Sequence, residues 1–493
     1  MKIKSLIYCC LILFCISINA QTLLYNNGAQ ITVNQGGTVA ILAGDVHNQA
    51  GNIDNAGFFF IEGDVTNDET MTGFGASTGL YEVKGDWYNN NTFTADQSTV
   101  LLNGGNQLIS GTNVTSFYTL NLNGTGIKRQ TTDAFVTNIL NLTDVELATD
   151  FQDMNVTSTD ANAILRNIGF VSSLGDGALY RNTNSTDPYM FPTGSSIGTF
   201  RYRPILMTPT ASDPHTFGVR LANNDPNDDT YNRDNLDTEE LCQINPLFYH
   251  HIYRSNGTNA ADLAMFFEAG DDGAWNRIAH WQNQPRWENT DAPTEYTDVG
   301  FNVLEMYGWN DYTLRPFALA AGNPFLDAGP DAFLQSGETA MLNPTYQGAM
   351  IDGITWFPAT GLDCTTCLDV DASPTTTITY TIEVIDENAC KAVDTVTVNI
   401  EGFELLLPNA FSPNEDSVND SFKPLNNNLS EMELTIYNRW GKQVFASSNP
   451  DTGWDGTYKS VEQELGIYLY FIEYSFEGDT QVLTQKGNVT LIR

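Results

Sequence analysis

The sequence predicts an all-β protein made of several domains in series, and three observations carry that prediction. The chain has 493 residues, more than one hydrophobic core accommodates. It holds 21 Tyr, 27 Phe and 8 Trp beside abundant Thr, a composition that suits half-buried pleated surfaces. Charged residues make up only 17%. That disfavours long surface helices, which usually carry Lys, Glu and Arg.

The first element reads as a secretory signal. Lys2 and Lys4 precede an apolar run over residues 6–18, too short to span a membrane stably. Cleavage is expected between Ala20 and Gln21, although Ile18 is larger than the usual residue at the third position back. Cys15 admits a lipoprotein reading, but Phe14 stands where a small residue is needed. No other apolar stretch reaches membrane length, so no transmembrane segment is expected after signal removal. Cys242, Cys364, Cys367 and Cys390 then remain. Export permits disulfides, but so few cysteines cannot staple a chain of this length, and hydrophobic cores must carry the fold. The formal charge of −38, from 22 basic and 60 acidic residues, repels phosphate backbones and anionic lipid, so nucleic acid is not an expected partner.

Residues 21–150 repeat. Gly44-Asp45-Val46-His47-Asn48 recurs as Gly63-Asp64-Val65-Thr66-Asn67 and as Gly85-Asp86-Trp87-Tyr88-Asn89, at intervals of 19 and 22 residues. Short β-rich pieces lie between, at 38–42, 57–62, 79–84 and 98–102. This is the spacing of a solenoid coil, whose apolar side is buried only by stacking on its neighbours. Gly is expected to turn the corner with positive φ, and Asn to ladder from coil to coil. A short parallel β-helix is the reading; a β-sandwich with similar hairpin turns is the alternative. Residues 151–322 show strand-like pieces at 202–207, 216–221, 248–254, 264–268, 278–281 and 312–319. Loops rich in Asn, Asp, Pro and Gly separate them, as in an antiparallel sandwich. Within them, Phe191-Pro192-Thr193-Gly194 followed by Tyr202-Arg203-Pro204 is similar to a β-module common in large exported proteins of Bacteroidota.

Residues 323–400 alternate with period two. The stretch from Trp356-Phe357-Pro358-Ala359-Thr360-Gly361-Leu362 through Cys364-Thr365-Thr366-Cys367 to Thr379-Tyr380-Thr381 resembles Ig-like repeats that precede the export tail of gliding-motility-associated proteins. The pair Cys364 and Cys367 is read as a small loop-closing disulfide outside the cell, with a redox or zinc pair as the alternative.

Residues 401–493 hold a series of ordered blocks. Leu407-Pro408-Asn409-Ala410-Phe411-Ser412-Pro413-Asn414 opens it, then Asp416, Val418-Asn419-Asp420 and Phe422. Ile436-Tyr437-Asn438-Arg439-Trp440-Gly441, Val444-Phe445 and Gly453-Trp454-Asp455-Gly456 follow. Gly466-Ile467-Tyr468-Leu469-Tyr470 and Gly487-Asn488-Val489-Thr490-Leu491-Ile492-Arg493 close it. The blocks resemble the type B C-terminal sorting domain of the type IX secretion system, the gliding motility-associated C-terminal domain of Bacteroidota. The resemblance implies passage across the outer membrane with the type IX machinery as partner, then release or attachment at the surface. One departure stands out: Glu415-Asp416-Ser417 replaces the family's Gly-Asp-Gly, so this loop must bend without two glycines. The tail itself reads as a β-sandwich anchored by Trp440 and Trp454, each beside a Gly that clears room for its ring. Its last strand, ending in Arg493, is expected to offer an open edge for recognition. The predicted fold class is thus all-β: a short parallel β-helix, an antiparallel β-sandwich, an Ig-like domain and a C-terminal β-sandwich.

No nucleophile elbow, His-Glu-x-x-His or phosphate-binding Gly loop with Lys occurs, and no carboxylate pair can be singled out, so no catalytic residue and no cofactor are expected. His250 and His251 are adjacent in an expected strand and face opposite sides. Asp225, Asp228 and Asp229, in a turn-rich acidic loop, are the weak calcium candidates. The expectation is therefore a non-enzymatic surface or secreted protein of adhesin or surface-structure type, meeting surface glycans or other surface proteins. The alternative is a polysaccharide-binding or polysaccharide-degrading protein with Trp275, Trp281 and Trp287 stacked on one exposed face.

Overall fold

A computed structural model of the chain describes residues 24–75, 78–335, 337–402, 404–425, 428–477 and 481–493. The signal and its cleavage position at Ala20 and Gln21 lie outside these residues. The chain divides into two compact units, one ending at Asn323 and the other spanning Pro324–Arg493.

The first unit begins as a parallel β-solenoid. One of its sheets stacks Val46–Asn55, Val65–Asn67, Trp87–Asn89, Gln107–Ser110, Ile127–Gln130, Glu146–Asp150 and Phe170–Ser173. The other stacks Thr38–Ile41, Phe58–Ile61, Leu80–Val83, Thr99–Leu102, Thr115–Leu122 and Ala134–Asn141. Register is kept from coil to coil, so Phe59, Tyr81, Val100, Leu120 and Leu140 form one buried row. Parallel pairing throughout rules out a hairpin-built sandwich here. It also does not stop at residue 150, because Met154–Val156 pairs in parallel with Leu179–Thr183.

The repeated Asn residues form a buried ladder. Asn26 donates to Asn48 (2.8 Å), Asn48 to Asn67 (3.0 Å) and Asn67 to Asn89 (2.9 Å). The repeated Asp residues close the corners, each carboxylate accepting a backbone N–H of the next coil: Asp45 from Asp64 (2.9 Å), Asp64 from Asp86 (2.7 Å) and Asp86 from Leu108 (2.8 Å). The glycines do something other than expected. Gly63 and Gly85 are absent from the left-handed region. What they supply is space: a Cβ on Gly85 would lie 2.3 Å from Asp64 Oδ1 and 2.4 Å from Gly63 C. Side chains are excluded because the coils touch backbone to backbone at that corner.

The solenoid runs without a break into the sandwich. Leu179–Thr183, its last parallel strand, pairs on its far side in antiparallel fashion with His215–Ala222. Tyr249–Asn256, Pro316–Gly322, Arg277–Trp281 and Trp287–Asn289 extend the same sheet. A growing solenoid end is a row of unpaired backbone groups open to association, and this direction change closes it. The strand expected at 312–319 begins only at Pro316. A second, five-stranded sheet, in the order Tyr189–Phe191, Ile205–Pro209, Ala261–Phe267, Phe301–Trp309 and Thr294–Asp298, completes the sandwich. Its Phe-Pro-Thr-Gly and Tyr-Arg-Pro segments meet, with Gly194 opposite Tyr202 and Thr193 Oγ1 donating to Arg203 O at 3.0 Å. Arg201 and Arg203 then converge on Asp272, whose side chain is fully buried.

In the second unit, Ala332–Gln335, Lys391–Glu401, Ile378–Asp386 and Ile351–Phe357 form a four-stranded sheet around Trp356 and Tyr380. Trp356 Nε1 donates to Cys367 O at 3.0 Å, and Cys367 is bonded to Cys364 (S–S 2.06 Å). A separate core gathers residues of the terminal module.

Two outcomes follow. Asp272→Ala leaves the buried Arg201 without its counter-charge and Arg203 with only the half-exposed Glu268, and it is expected to cost about 3–5 kcal/mol, measured as a lowered urea midpoint of the first unit. Asp153 is pushed up to about 6 from its ordinary 3.8, chiefly by burial and next by Asp133 against the N–H of Ala178. A carboxyl raised on folding stabilises below its unfolded value and loses that contribution as pH rises through the folded one. Asp153→Asn should therefore remove a loss of stability between about pH 4 and pH 6. After solvent screening it should leave the unit about 1 kcal/mol more stable than wild type at pH 7.

Candidate functional site: the C-terminal module

The terminal module is a five-stranded sheet in the order Ala410–Phe411, Leu483–Leu491, Gly466–Phe476, Leu429–Tyr437 and Gln443–Ser447. Alternation in the long strand Gly466–Phe476 sends Tyr468, Tyr470 and Ile472 into the core with Leu434, Ile436 and Val489. The opening block is tied to the closing one: Thr490 N donates to Asn409 O and Ile492 N to Phe411 O, both at 3.0 Å. Consequently the last strand is no open edge at its end. Ala410–Phe411 covers Thr490 and Leu491, because the Pro408-Asn409 segment must lie there to bring Phe411 against Trp454. Arg493 is likewise paired, to Glu462 at 2.8 Å.

The loop after Pro413 is organised by Asp420, whose carboxylate accepts the N–H groups of Asn414 (3.0 Å), Glu415 (3.0 Å) and Ser417 (2.8 Å). Glu415, Ser417 and Asn419 have φ of 66°, 68° and 54°. The two positions where glycine is expected thus adopt the glycine conformation with side chains attached. Each costs roughly 1 kcal/mol, which three hydrogen bonds to one carboxylate offset.

The two tryptophan blocks separate in role. Trp454 is fully buried, shares two 2.9 Å backbone hydrogen bonds with Phe422, and donates Nε1 to Thr457 O at 2.7 Å. Its ring meets Tyr468 at 4.6 Å. Gly453 and Gly456 serve it as expected: a Cβ on Gly453 would strike Ser421 Oγ at 2.7 Å, and Gly456 has φ 76°. Trp440 is not an anchor. It sits in a tight turn where Asn438 Oδ1 accepts the N–H groups of Trp440 (3.1 Å) and Lys442 (3.0 Å) and Gly441 has φ 75°. That turn aims the indole outward, and it is 82% exposed. Ile467 and Leu469, at 62% and 56%, are also exposed. Gly466 has φ 142°, and Gly487 lacks the Cβ that would meet Tyr470 Oη at 2.5 Å. Asp455 caps the next turn by accepting Thr457 N at 2.9 Å.

Other predicted positions fall elsewhere. Asp225, Asp228 and Asp229 do not converge. Asp225 accepts Arg233 Nε at 2.8 Å and Asn227 N at 2.9 Å, whereas Asp229 accepts Tyr249 Oη at 2.6 Å and Asn224 Nδ2 at 2.9 Å. Burial pushes the Asp225 carboxyl up, but Arg233 and the Asn227 N–H outweigh it and hold it low. Asp225 is the N-cap of a 3₁₀ turn at Pro226–Asp229, so the acidic run is a structural loop. Among the described residues no group of three or more His, Cys, Asp or Glu is placed to hold a metal. Trp275, Trp281 and Trp287 form no exposed face. Trp281 and Trp287 meet at 5.4 Å in a buried cluster, and Trp275 donates Nε1 to Asp272 O at 2.8 Å. His250 and His251 do face opposite sides, toward Arg203 O (2.9 Å) and Tyr249 Oη (3.2 Å). Burial pushes His250 down to about 4.

Residues 405–491 match the family described as the CHU_C type IX secretion signal domain. No curated protein matches the chain. Among solved structures, the chain is similar to a tetra-tandem repeat in the extending region of a large adhesion protein, with 12% identity over 63% of this chain and 93% of that one, TM-score 0.16. It is also similar to dimeric latent PorU from Porphyromonas gingivalis, with 10% identity over 64% of this chain and 34% of that one, TM-score 0.14. Neither likeness carries an argument at that score. Among the described residues no helix is long and apolar enough to cross a membrane.

Trp440→Ala is expected to change the stability of the module by no more than about 0.5 kcal/mol, while Trp454→Ala costs about 3–5 kcal/mol; thermal unfolding of the two variants checks the contrast. The chain belongs with the proteins that carry a type IX secretion signal domain at the C-terminal end, and it is an exported protein.

Proposed function

We propose that the unit ending at Asn323 is a non-enzymatic passenger of adhesin or surface-structure type, delivered through the periplasm to the cell surface or the medium by the terminal module. The observation that carries this reading is the module's own closed core, from Leu405 to Leu491, which makes it a handle separable from the solenoid and sandwich. Several of the passenger's polar groups support the non-enzymatic part, because they are committed to the fold. Asp272 is held by Arg201 and Arg203, Asp225 by Arg233, and His280 by Leu314 O at 2.9 Å. The polysaccharide reading has no support from Trp281 and Trp287, which are core residues. The exposed Trp440, Ile467 and Leu469 supply the apolar surface that a secretion partner would read.

Deleting residues 401–493 and following the protein by cell fractionation tests the proposal. Retention inside the cell is the expected result, with the passenger still folded; undiminished release to the medium would overturn it.

A further inference from the structure

The face of the shared sheet turned away from the second sheet carries a strip of rings, buried at Tyr249, His251 and Tyr253 and half-buried at Tyr180 and Tyr231. Tyr231 meets Trp281 at 5.5 Å, Tyr249 at 5.6 Å and His251 at 5.8 Å. His251 stacks on Tyr253 at 6.2 Å, and Tyr253 meets Tyr180 at 5.9 Å. Small residues opposite them, Gly218 across from both Tyr180 and Tyr253, leave the rings room to lie flat. At the centre of this strip sits Arg220, directly across from His251 and only 8% exposed.

Arg220 is the anomaly. Its Nε has no acceptor, and it makes no ion pair with a described carboxylate. Arg181, also buried and also without an acceptor at Nε, donates its terminal nitrogens to the carbonyls of Met190 (2.8 Å), Asp160 (3.0 Å) and Ala161 (2.9 Å). The groups around Arg220 make its position worse. Arg315 lies over the Tyr253 ring at 4.6 Å, and both arginines act on the Tyr253 phenol against the effect of burial. His251 Nδ1 also lacks a partner. The nearby carboxylates are engaged: Asp229 with Tyr249, and the exposed Asp176 with Arg315 at 2.6 Å. A buried cation without a counter-charge is costly. A chain of net charge −38 would otherwise have no difficulty supplying one.

We propose that Arg220 and Arg315, framed by Tyr180, Tyr231 and Tyr253, bind the carboxylate of an acidic saccharide. The guanidiniums provide charge-assisted donors for the carboxylate, and the partly open rings of Tyr180 and Tyr231 provide apolar faces for the sugar. The rings favour a saccharide over a peptide carboxylate. The inference rests on the passenger reading, to which it adds a ligand class.

The test is calorimetric titration of the full chain without its signal, using trigalacturonate, its uncharged methyl ester and triglutamate. Trigalacturonate is expected to bind, with affinity lowered at least about tenfold in Arg220→Gln and in Arg315→Gln and by a similar factor for the methyl ester. Arg315 is half exposed at its side chain, so Arg315→Gln keeps the test decisive if Arg220→Gln does not fold. Equal binding of the methyl ester, wild-type affinity in Arg315→Gln, or no binding of trigalacturonate would overturn the site. Triglutamate binding as tightly as trigalacturonate would overturn the saccharide assignment in favour of a peptide carboxylate. Loss of the site with surface delivery intact would leave the passenger reading standing.

Discussion

Backbone contact between successive coils is the constraint on which the first unit depends. One coil of the solenoid has too little apolar surface to bury by itself, and its edge hydrogen bonds are satisfied only by the coils above and below. The Gly-Asp corner meets this requirement at two levels. Glycine lets the main chains approach, and aspartate uses that approach to accept the next coil's N–H. The interior Asn residues add a second ladder whose amides would be stranded if one coil slipped by a residue, because a one-residue slip turns each inward group outward. Register is therefore specified by polar groups as much as by the row from Phe59 to Leu140.

The same sheet, prolonged past Thr183, explains why solenoid and sandwich form one body. A reversal of strand direction ends the stack without exposing its growing edge, and it places a two-sided sheet behind the last coil. One side holds the inter-sheet core with Asp272 and its arginines. The other holds the ring strip and Arg220. Arg201 and Arg203 are thus neutralised within the sandwich, whereas Arg220 on the other face has no carboxylate partner among the described residues.

In the terminal module the decisive contrast is between two indoles of similar sequence surroundings. Trp454 lies between glycines that let its segment pack closely against Ser421 on one side and Pro413 and Leu491 on the other, and its ring is buried against Phe411 and Tyr468. Trp440 precedes a left-handed glycine in a turn closed by Asn438, and that geometry directs it to solvent. The module tolerates non-glycine residues in left-handed conformation at Glu415 and Ser417 because Asp420 holds the whole loop from one point. A loop held in this way is pre-shaped, which suits a domain that has to be read by other proteins.

Much of this was legible in the chain of residues. Period-two alternation, the 19- and 22-residue spacing and the ordered tail blocks determined the all-β class, the parallel coils, the Asn ladder and the export tail, because each depends on local periodicity or on a contiguous motif. Other features depended on groups far apart in sequence. Arg203 meets Asp272 across 69 residues, and Ala410–Phe411 covers the final strand from the other end of the module. The strand through Ile467, Leu469 and Phe471 is apolar on both faces, so alternation cannot say which face stays open. The exposure of Trp440, the burial of Trp281 and Trp287, and the missing counter-charge at Arg220 were decided by tertiary structure alone. Burial and charge pairing are properties of what surrounds a side chain, and the surroundings come from strands that only folding brings together.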